Sequence, residues 1–514
     1  MALAAVFCGK AFHIDDPEFL YAARHIAIDP LHPFDFALNW TDRTLPASEV
    51  LANPPGFSYL LALLLSAGLQ GERAIHLALA PFFALLVLGT ARLARALQIP
   101  PLLPALLVAA SPAAIVCATT VMPDVFAAAL GTLGAALWLE GDALADARGA
   151  RLRSLGGGLL LALANFSRYG AFGVVAGLSL YGGLRRHRDP FGWTALAFTP
   201  ALLLFWMLAA GGGEAPLSRT YLRWTTLHTE RALAMAAHLG LSTAAPAFAF
   251  SAPSPGLLGS LLAGAAFAIL FGAAAPSGWG AGTIRFLPVA LAAALGAGFF
   301  VWIIARSLRA GVSTKERAID GLLAAWVLVT VAIPVVYVHA SAKYLVPALP
   351  PLALAAARLA PGRRAGLRAA ATAALFLSLG VAATVADTHL ASAHRELARR
   401  HVRPLVESGR RVWFAGHWGF QWYAEAAGAR PTEVDEPPAR GDFVVFTEIA
   451  HHRGFPRPVE GSFVRVGDHS IPDAFPLRTM SPPANAGFYS HSWGLLPFGI
   501  STHPLERLVV LEVR

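Results

Sequence analysis

Charged residues are scarce in this chain of 514 residues: Asp, Glu, Lys and Arg make up only 14% of it, against about 25% in a typical soluble domain. Hydrophobic residues make up 56%, above the usual ~45–50%. This balance excludes a single soluble core, and it excludes intrinsic disorder because a disordered chain has too little apolar surface to bury. At about 20 apolar residues per crossing, the chain has room for roughly a dozen membrane helices and a soluble domain.

Cysteine is scarce as well, with only Cys8 and Cys117 in the chain. Both lie in apolar surroundings and give neither a disulfide framework nor a metal-ligand spacing. Glycine is abundant, but clusters such as 156–158 lack the strand-to-helix context of a phosphate-binding loop. Runs such as 78–91 and 374–386 are apolar on every face and lack the alternation of a transmembrane β-strand. The sequence therefore predicts apolar membrane helices.

Hydropathy predicts an all-α polytopic membrane protein with about 11–13 transmembrane helices. The first 12 residues are apolar but too short to cross a bilayer, and we interpret them as the end of a first helix that begins at or before Met1. A weakly apolar stretch at 232–250 is needed to keep the topology consistent. The predicted spans are 74–91, 101–121, 123–140, a split pair across 154–184, 192–210, 232–250, 256–275, 284–305, 321–340, 342–360 and 366–386.

The net charge of +9 lies among these spans, because residues 395–514 hold 14 basic and 13 acidic residues. Positive-inside topology explains that placement, so nucleic acid is not an expected partner. The clusters expected to face the cytoplasm are Arg92, Arg95, Arg148, Arg151, Arg153, Arg185, Arg186, Arg188, Arg306, Arg309, Lys315, Arg317, Arg363, Arg364 and Arg368.

This topology gathers several polar segments on one extracytoplasmic face. They are the acidic loop 13–53, the turn 122–124, Arg168-Tyr169, the loop 211–231, the segment 341–344 and the C-terminal region. We expect two domains: a transmembrane domain at 1–390 and a soluble extracytoplasmic α/β domain at 395–514. The second domain shows strand patterns at 412–416 and 442–449 and a helical pattern at 419–428.

The sequence His13-Ile-Asp15-Asp16-Pro-Glu18 places three carboxylates in four positions. Like charges at this spacing raise one another's pKa, so one of them can act as a general base. The alternative is a helix N-terminus with Asp16 as the cap and Glu18 in the first turn. Both interpretations remain open at this stage.

Three further sites interrupt apolar sequence on the same predicted face. Asp124 follows Met-Pro and is compatible with a helix cap or with a second acidic position in a site. Arg168-Tyr169 and Lys343-Tyr344 each place a cation on the acidic face, opposite to the positive-inside trend. Snorkelling to the bilayer surface is one explanation, and binding of a lipid phosphate is the other.

The segments that carry these residues resemble the polytopic GT-C glycosyltransferases, close in layout to protein O-mannosyltransferases and bacterial aminoarabinose transferases. The resemblance covers most of residues 10–360 and depends on the order of several individually weak motifs. These are DDPEFLYAARHIA (15–27), NPPGFSYLLALL (53–64), MPDVFAAALGTLGAALWL (122–139), SRYGAF (167–172) and KYLVPALPPLALAAA (343–357).

The resemblance implies an inverting transfer of a sugar from a polyprenyl-phosphate donor to an acceptor hydroxyl on the outer face. It implies Asp15 as the general base with Asp16 beside it and Asp124 as the second acidic position. Arg168 and Lys343 would hold the carrier phosphate, and the expected substrate contacts also include Glu18, Tyr169 and Tyr344. A nucleotide is not needed, and a divalent metal is compatible with the sequence but not demanded by it.

The chain departs from the family pattern in two places. Asn53 stands where the lipid A-modifying branch has a lysine before the double proline, which weakens an assignment to aminoarabinose transfer. The loop 211–231 is shorter than the large domains of the eukaryotic mannosyltransferases. The acceptor therefore stays open between a glycan, a lipid and a protein.

The expected location is the bacterial inner membrane, with the C-terminal domain in the periplasm or outside the cell and membrane lipids around the spans. A transporter or flippase of envelope lipids or glycans is the main alternative, and a structural subunit whose tail recruits partners is another. The tail motifs at 416–425 and 485–499 interleave aromatic residues with His, Asn and Ser. They are compatible with stacking on sugars or with the core of a small domain.

Overall fold

The computed structural model describes most of the chain. The described residues are 2–40, 43–143, 147–186, 190–209, 228–251, 255–273, 283–337, 339–359, 364–433, 436–450 and 462–514. Most of the predicted loop 211–231 lies outside these ranges.

Helices dominate the first four-fifths of the described chain. The α-helices are α1 (Ala2–Phe7), α2 (Asp16–Ile26), α3 (Ala47–Val50), α4 (Gly56–Ser66), α5 (Glu72–Ala96), α6 (Leu102–Ala110), α7 (Pro112–Cys117), α8 (Pro123–Asp142), α9 (Ala147–Asn165), α10 (Phe172–Arg185), α11 (Pro190–Ala209), α12 (Thr229–Ser242), α13 (Ala244–Phe250), α14 (Pro255–Ala273), α15 (Thr283–Ser307), α16 (Thr314–Val336), α17 (Leu349–Ala357), α18 (Arg364–Leu397), α19 (Arg403–Glu407) and α20 (Trp418–Ala426).

Shorter helical turns connect some of these elements. Three are 3₁₀ segments, at Tyr169–Ala171, Ala342–Ala348 and Pro482–Ala484. A fourth, Ala398–Val402, is a π-helical turn that joins α18 to α19. The segment 342–348 is followed directly by α17, so the predicted span 342–360 is half 3₁₀ and half α-helix.

Each span predicted from hydropathy contains helix, and the chain is a polytopic helical membrane protein with a C-terminal β-containing domain. By length and composition, five helical stretches among the described residues could cross a membrane. They are Glu72–Ala96, Gly256–Ala273, Phe286–Ser307, Thr314–Val336 and Arg364–Glu407. The weakly apolar stretch at 232–250 forms α12 and α13, which meet at a bend of 74° and together count as a sixth candidate.

Close helix packing in the membrane region depends on small residues. A Cβ atom on Gly134 of α8 would lie 2.8 Å from the carbonyl oxygen of Gly157 in α9, closer than real Cβ contacts come. Such small residues let helix backbones approach closely within a bilayer, where apolar side chains gain little from one another. On the outer surfaces, large apolar side chains such as Leu88, Leu262 and Leu291 are exposed, as expected for contact with lipid.

The predicted acidic loop 13–53 is folded. It holds α2, a hairpin of β1 (Ala37–Asn39) and β2 (Thr44–Pro46), and α3. Helix α2 buries Phe19, Leu20 and Ile26 against the rest of the protein and leaves Arg24 exposed. The loop is therefore a packed layer over the ends of the membrane helices, with one amphipathic helix as its main element.

The C-terminal region is built on a mixed sheet of five strands in the order β4-β3-β5-β11-β6. Strand β3 is parallel to β4 and β5, and β11 is antiparallel to β5 and β6. The strands of this region are β3 (Val412–Ala415), β4 (Arg430–Pro431), β5 (Phe443–Thr447), β6 (Phe463–Ile471), β7 (Leu477–Arg478), β8 (Met480–Ser481), β9 (Ala486–Gly487), β10 (Gly499–Ile500) and β11 (Glu506–Val513). The strand and helix patterns predicted near 412–449 correspond to β3, α20 and β5.

The C-terminal region is bonded to the membrane helices and to the acidic loop. The backbone N–H of Ala342 donates to the carbonyl oxygen of Phe488 at 2.8 Å. The backbone N–H of His491 donates to the carbonyl oxygen of Ala340, also at 2.8 Å. Helix α18 continues through Leu397, so the domain boundary predicted at 390–395 falls inside a continuous helix. That continuity and the bonds beside residues 340–342 place part of the C-terminal region next to Lys343.

Candidate active site

Asp15 and Lys343 form an ion pair although 328 positions separate them. The Nζ of Lys343 donates a hydrogen bond to Asp15 Oδ2. The Asp15 side chain is 27% exposed and that of Lys343 is 3% exposed, so the pair sits just below the surface with the carboxylate on the open side. Burial disfavours the charged form of Asp15, but the charge and hydrogen bond of Lys343, together with the charge of Arg168, hold the pKa of Asp15 below its usual range.

A tight turn presents the Asp15 carboxylate to Lys343. The backbone N–H of Asp16 donates to the carbonyl of His13 at 3.1 Å, and Ile14 between them has φ +51°. Asp15 occupies the cap position of α2 but makes no side-chain capping bond, and Pro17 follows in the first turn. The Asp15 carboxylate is therefore directed to the cation and away from its own helix.

Asp16 is held differently from its neighbour. Its Oδ2 accepts the backbone N–H of His13 at 3.0 Å and its Oδ1 accepts that of Val121 at 2.8 Å. The side chain is fully buried, and burial raises the pKa of Asp16 to about 7. Of the two interpretations left open, the cap at Asp16 is not observed: Asp16 is the first helical residue, and its carboxylate ties the turn to the segment before α8.

Arg168 and Asp124 form a second, more deeply buried pair. Nη2 of Arg168 lies 3.1 Å from Asp124 Oδ1, with the two side chains 9% and 1% exposed. Asp124 is the second residue of α8, whose cap position is occupied by Met122, so Asp124 is not the cap. Nη1 of Arg168 also donates to Asn53 Oδ1, so Asn53 is tied to this second pair.

The Tyr344 ring joins the two ion pairs. Its centre lies 4.7 Å from Arg168 Cζ and 5.6 Å from Lys343 Nζ, both within reach of a cation–π contact. Lys343 Nζ also lies 3.7 Å from Met122 Sδ and 5.8 Å from the centre of the Tyr489 ring. Two carboxylates, two cations and an aromatic ring from four separate segments therefore lie together, as the topology predicted.

Glu18 lies in the first turn of α2, three residues after Asp15. It is partly exposed, and burial together with the negative charge of Asp15 raises the pKa of Glu18 well above its usual value. Glu18 lines a small surface pocket with Phe19, Asn53 and Ser58, among others. The hydroxyl of Tyr169 is buried and has no hydrogen-bond partner among the described residues.

A second buried cluster, which the sequence motifs did not reveal, surrounds Asp387 of α18. Lys10 Nζ lies 2.5 Å from Asp387 Oδ2, and His13 Nε2 lies 3.1 Å from the same oxygen. All three side chains are fully buried. The sequence feature that could have indicated this cluster is a single ionisable residue within apolar sequence at position 10 and another at position 387. Ionisable residues are rare in membrane segments.

The aromatic motifs of the tail are mostly buried. Phe488, Tyr489, Trp493 and Phe498 belong to the same apolar core as the membrane helices, which agrees with a packing role. Among the described residues, no group of three or more His, Cys, Asp or Glu side chains is arranged to hold a metal ion. Both Asp15 and Asp124 have a cation as their neighbour instead.

No protein-family model and no curated protein matches this chain. Among solved structures, the chain is similar to ArnT from Cupriavidus metallidurans bound to undecaprenyl phosphate, with 14% identity, TM-score 0.44, and coverage of 87% of this chain and 92% of that one. It is also similar to the Archaeoglobus fulgidus oligosaccharyltransferase in complex with Zn and sulfate, with 12% identity, TM-score 0.45, and coverage of 85% and 64%. A third similar structure is the arabinofuranosyltransferase AftD from Mycobacteria, with 14% identity, TM-score 0.42, and coverage of 100% of this chain and 39% of that one.

Proposed function

We propose that this chain is an integral-membrane glycosyltransferase of the GT-C type. It transfers a sugar from a polyprenyl-phosphate donor to an acceptor hydroxyl, with inversion at the anomeric carbon. The observation that carries the proposal is the convergence of Asp15 with Lys343 and of Asp124 with Arg168 around the Tyr344 ring. A carboxylate base beside two phosphate-binding cations is the minimum that this reaction needs.

The chemistry assigned to Asp15 is removal of the acceptor proton. The acceptor oxygen attacks the anomeric carbon and its proton passes to the Asp15 carboxylate. The bond from the anomeric carbon to the phosphate oxygen breaks, and its electron pair leaves with the polyprenyl phosphate. A lipid phosphate is already a good leaving group, so catalysis consists mainly of positioning and charge stabilisation.

The Asp15–Lys343 pair also suggests an order of events. While Lys343 is paired with the Asp15 carboxylate, the pKa of Asp15 is lowered and Asp15 is a weak base. A donor phosphate competes for Lys343 and thereby frees the carboxylate and raises its pKa. The donor is then expected to bind before Asp15 becomes an effective base, so that deprotonation of the acceptor is coupled to the presence of the sugar.

The cations have matching roles. Lys343, as a compact ammonium, and Arg168, as a planar guanidinium, can share the two non-bridging oxygens of the donor phosphate. Asp124 keeps Arg168 in place, and Asp16 holds the turn that carries Asp15. Glu18, Tyr169 and Tyr344 are proposed to contact the substrates, with Glu18 facing the pocket beside Asn53 and Ser58.

The remaining parts of the proposal concern location and partners. We propose that the site lies on the extracytoplasmic face of a bacterial inner membrane and that residues 395–514 form a domain on the same face. Acceptors of three classes are open: a glycan, a lipid and a protein. A divalent metal is compatible with the proposal, and no step of the proposed reaction depends on one.

The test is transfer by the purified full chain in lipid nanodiscs, supplied with a panel of radiolabelled undecaprenyl-phosphate sugars and an extract of envelope glycans and lipids. Asp15→Asn should abolish transfer while the protein stays folded, and Asp35→Asn, an exposed acid in the same loop, should transfer normally. Normal transfer by Asp15→Asn would remove the base assignment. Saturable uptake of lipid-linked sugar into proteoliposomes without any product would favour the transporter alternative.

A further inference from the structure

The cluster around Asp387 joins three distant parts of the chain. We call it the Asp387 hub, and its members are Lys10, His13, Asp387, Thr479 and Tyr489. Oδ2 of Asp387 lies 2.5 Å from Lys10 Nζ, 3.1 Å from His13 Nε2 and 2.7 Å from the Tyr489 hydroxyl, which donates to it. Oδ1 accepts the Thr479 hydroxyl at 2.9 Å.

The hub is fully enclosed and electrically balanced. Burial lowers the pKa of His13 to about 4, so the imidazole is neutral at neutral pH and its Nε2–H is the natural donor to Asp387. Lys10 and Asp387 then form the only charge pair within the hub. Replacing such a buried pair with apolar groups is often neutral for stability, so a contribution to stability does not explain the pair and a geometric role does.

The feature that needs fixed geometry is the turn beside the hub. Ile14 has φ +51° and is 2% exposed. This left-handed conformation is a genuine outlier for a β-branched residue and persists only where the surroundings impose it. Residue 13 is tied to the hub on one side of Ile14, and Asp16 is tied to the backbone of Val121 on the other. The residue carried by this restrained turn is Asp15.

We propose that His13 is a positioning residue for Asp15 that acts through Asp387. The hub holds the strained turn in the conformation that brings the Asp15 carboxylate to Lys343, and, resting on the proposed function, to the acceptor hydroxyl. Two of the donors to Asp387, Thr479 and Tyr489, come from the C-terminal region. Docking of that region therefore also sets the position of Asp15.

The scarcity of lysine allows a direct test of this geometry without any enzymatic assay. The chain has only Lys10, Lys315 and Lys343. Lys315 is exposed and serves as an internal standard, whereas Lys343 is 3% exposed and paired with Asp15. Reductive methylation of the full chain in nanodiscs, followed by mass spectrometry, gives the reactivity of Lys343 relative to Lys315.

His13→Leu should raise the relative labelling of Lys343 at least tenfold, because Leu cannot donate to Asp387 and the turn is released. His13→Gln, whose amide N–H can reach the same carboxylate, should stay within twofold of the parent chain. Leu20→Ala is the matched control: it opens a cavity under α2, where Leu20 is 1% exposed, without touching the hub. That variant should leave Lys343 protected.

A second variant covers the case in which His13→Leu does not fold. Thr479→Val removes one donor to Asp387 with little change of shape, and it should raise the labelling of Lys343 about threefold to fivefold. Unchanged labelling in folded His13→Leu or in folded Thr479→Val overturns the proposal. An equal rise in Leu20→Ala overturns it as well, because the effect would then be general loosening.

Kinetics separate this proposal from the proposed function. In a transfer assay, His13→Leu should lower kcat by one to two orders of magnitude and leave KM for the lipid donor within threefold, since Lys343 and Arg168 still bind phosphate. His13→Gln should restore kcat. If the labelling pattern appears as expected but the parent chain transfers no sugar, the positioning role stands and the glycosyltransferase proposal falls.

Discussion

The backbone N–H of Gly56 donates a 2.8 Å hydrogen bond to the carbonyl of Phe166, and the two segments touch so closely that a Cβ at position 56 would lie 2.6 Å from that carbonyl oxygen. This contact fixes the segment 53–56 against the segment that carries Arg168. Asn53, which accepts a hydrogen bond from Arg168, is only three residues away. The glycine of the NPPGF motif is thus explained by backbone packing next to the site.

Gly56→Ala is therefore expected to disturb both stability and the site. Forcing a methyl group against a backbone carbonyl costs about 1–3 kcal/mol, and the shift should weaken the bond from Arg168 to Asn53. We expect a lower melting temperature in detergent and weaker binding of undecaprenyl phosphate. Gly183→Ala is the control, because nothing lies within 4 Å of a Cβ there, and alanine in a helix interior should stabilise by about 0.5–1 kcal/mol. A Gly56→Ala protein as stable as Gly183→Ala would contradict the packing argument.

Lys343→Met should shift the pH dependence of transfer. The charge and hydrogen bond of Lys343, together with the charge of Arg168, offset the effect of burial and hold the pKa of Asp15 below its usual range, so Asp15 remains ionised in mildly acidic solution. Without Lys343, burial dominates and the pKa of Asp15 rises. The acid limb of kcat/KM, which reports on the free enzyme, should then move to higher pH by about one to three pH units.

The matched control for that experiment is Lys315→Met, which removes an exposed lysine elsewhere in the chain. It should leave the pH profile unchanged. An acid limb that stays in place in Lys343→Met would show that Asp15 does not control the titration of the active form.

Much of the architecture was predictable because a bilayer restricts what a chain can do. Each hydropathic span contains helix, since backbone groups in hydrocarbon must bond within their own segment. Counting basic loops placed Asp15 and Lys343 on one face, and the structure brings them into contact. The convergence of the site could therefore be inferred from topology alone.

The individual pairings could not be inferred in the same way. Nothing local to Asp387 indicates Lys10 as its partner, because 377 positions separate them. Asp15 and Asp16 look equivalent in the sequence, but the turn at Ile14 directs one to Lys343 and the other to the backbone of Val121. A backbone conformation that a β-branched residue rarely adopts leaves no sequence signature.

Asp16 should make the protein less stable as the pH rises from about 4 to about 7. Its pKa in the folded protein is raised to about 7 by burial, whereas an unfolded chain has the ordinary value near 3.9. Between these values the folded state binds more protons than the unfolded state, so the free energy of unfolding contributed by this group falls with increasing pH. Above about pH 7 the loss is complete.

Asp16→Asn should remove that pH dependence and lower the stability at pH 5, where the buried carboxyl of the parent chain is protonated. The amide offers one oxygen in place of two acceptors, so an N–H of His13 or Val121 would face another N–H, at a cost of about 1–3 kcal/mol. The measurement is the melting temperature at pH 5 and pH 8 for the parent chain, for Asp16→Asn and for Asp35→Asn as an exposed control. If the parent chain and Asp16→Asn show the same difference between the two pH values, Asp16 does not titrate in this range.

The Arg168–Asp124 pair offers a way to separate stability from activity. Arg168→Met alone leaves the buried Asp124 without its cation, and removing one partner of a buried pair typically costs about 3–5 kcal/mol. The double variant Arg168→Met/Asp124→Leu removes both charges and fills the space with apolar atoms, so its melting temperature should return close to that of the parent chain. Transfer should not return, because the proposed phosphate contact of Arg168 is lost in both variants. Binding of undecaprenyl phosphate, measured for the parent chain and both variants, tests this directly: full binding by the stable double variant would assign Arg168 to structure alone and leave Lys343 as the phosphate contact.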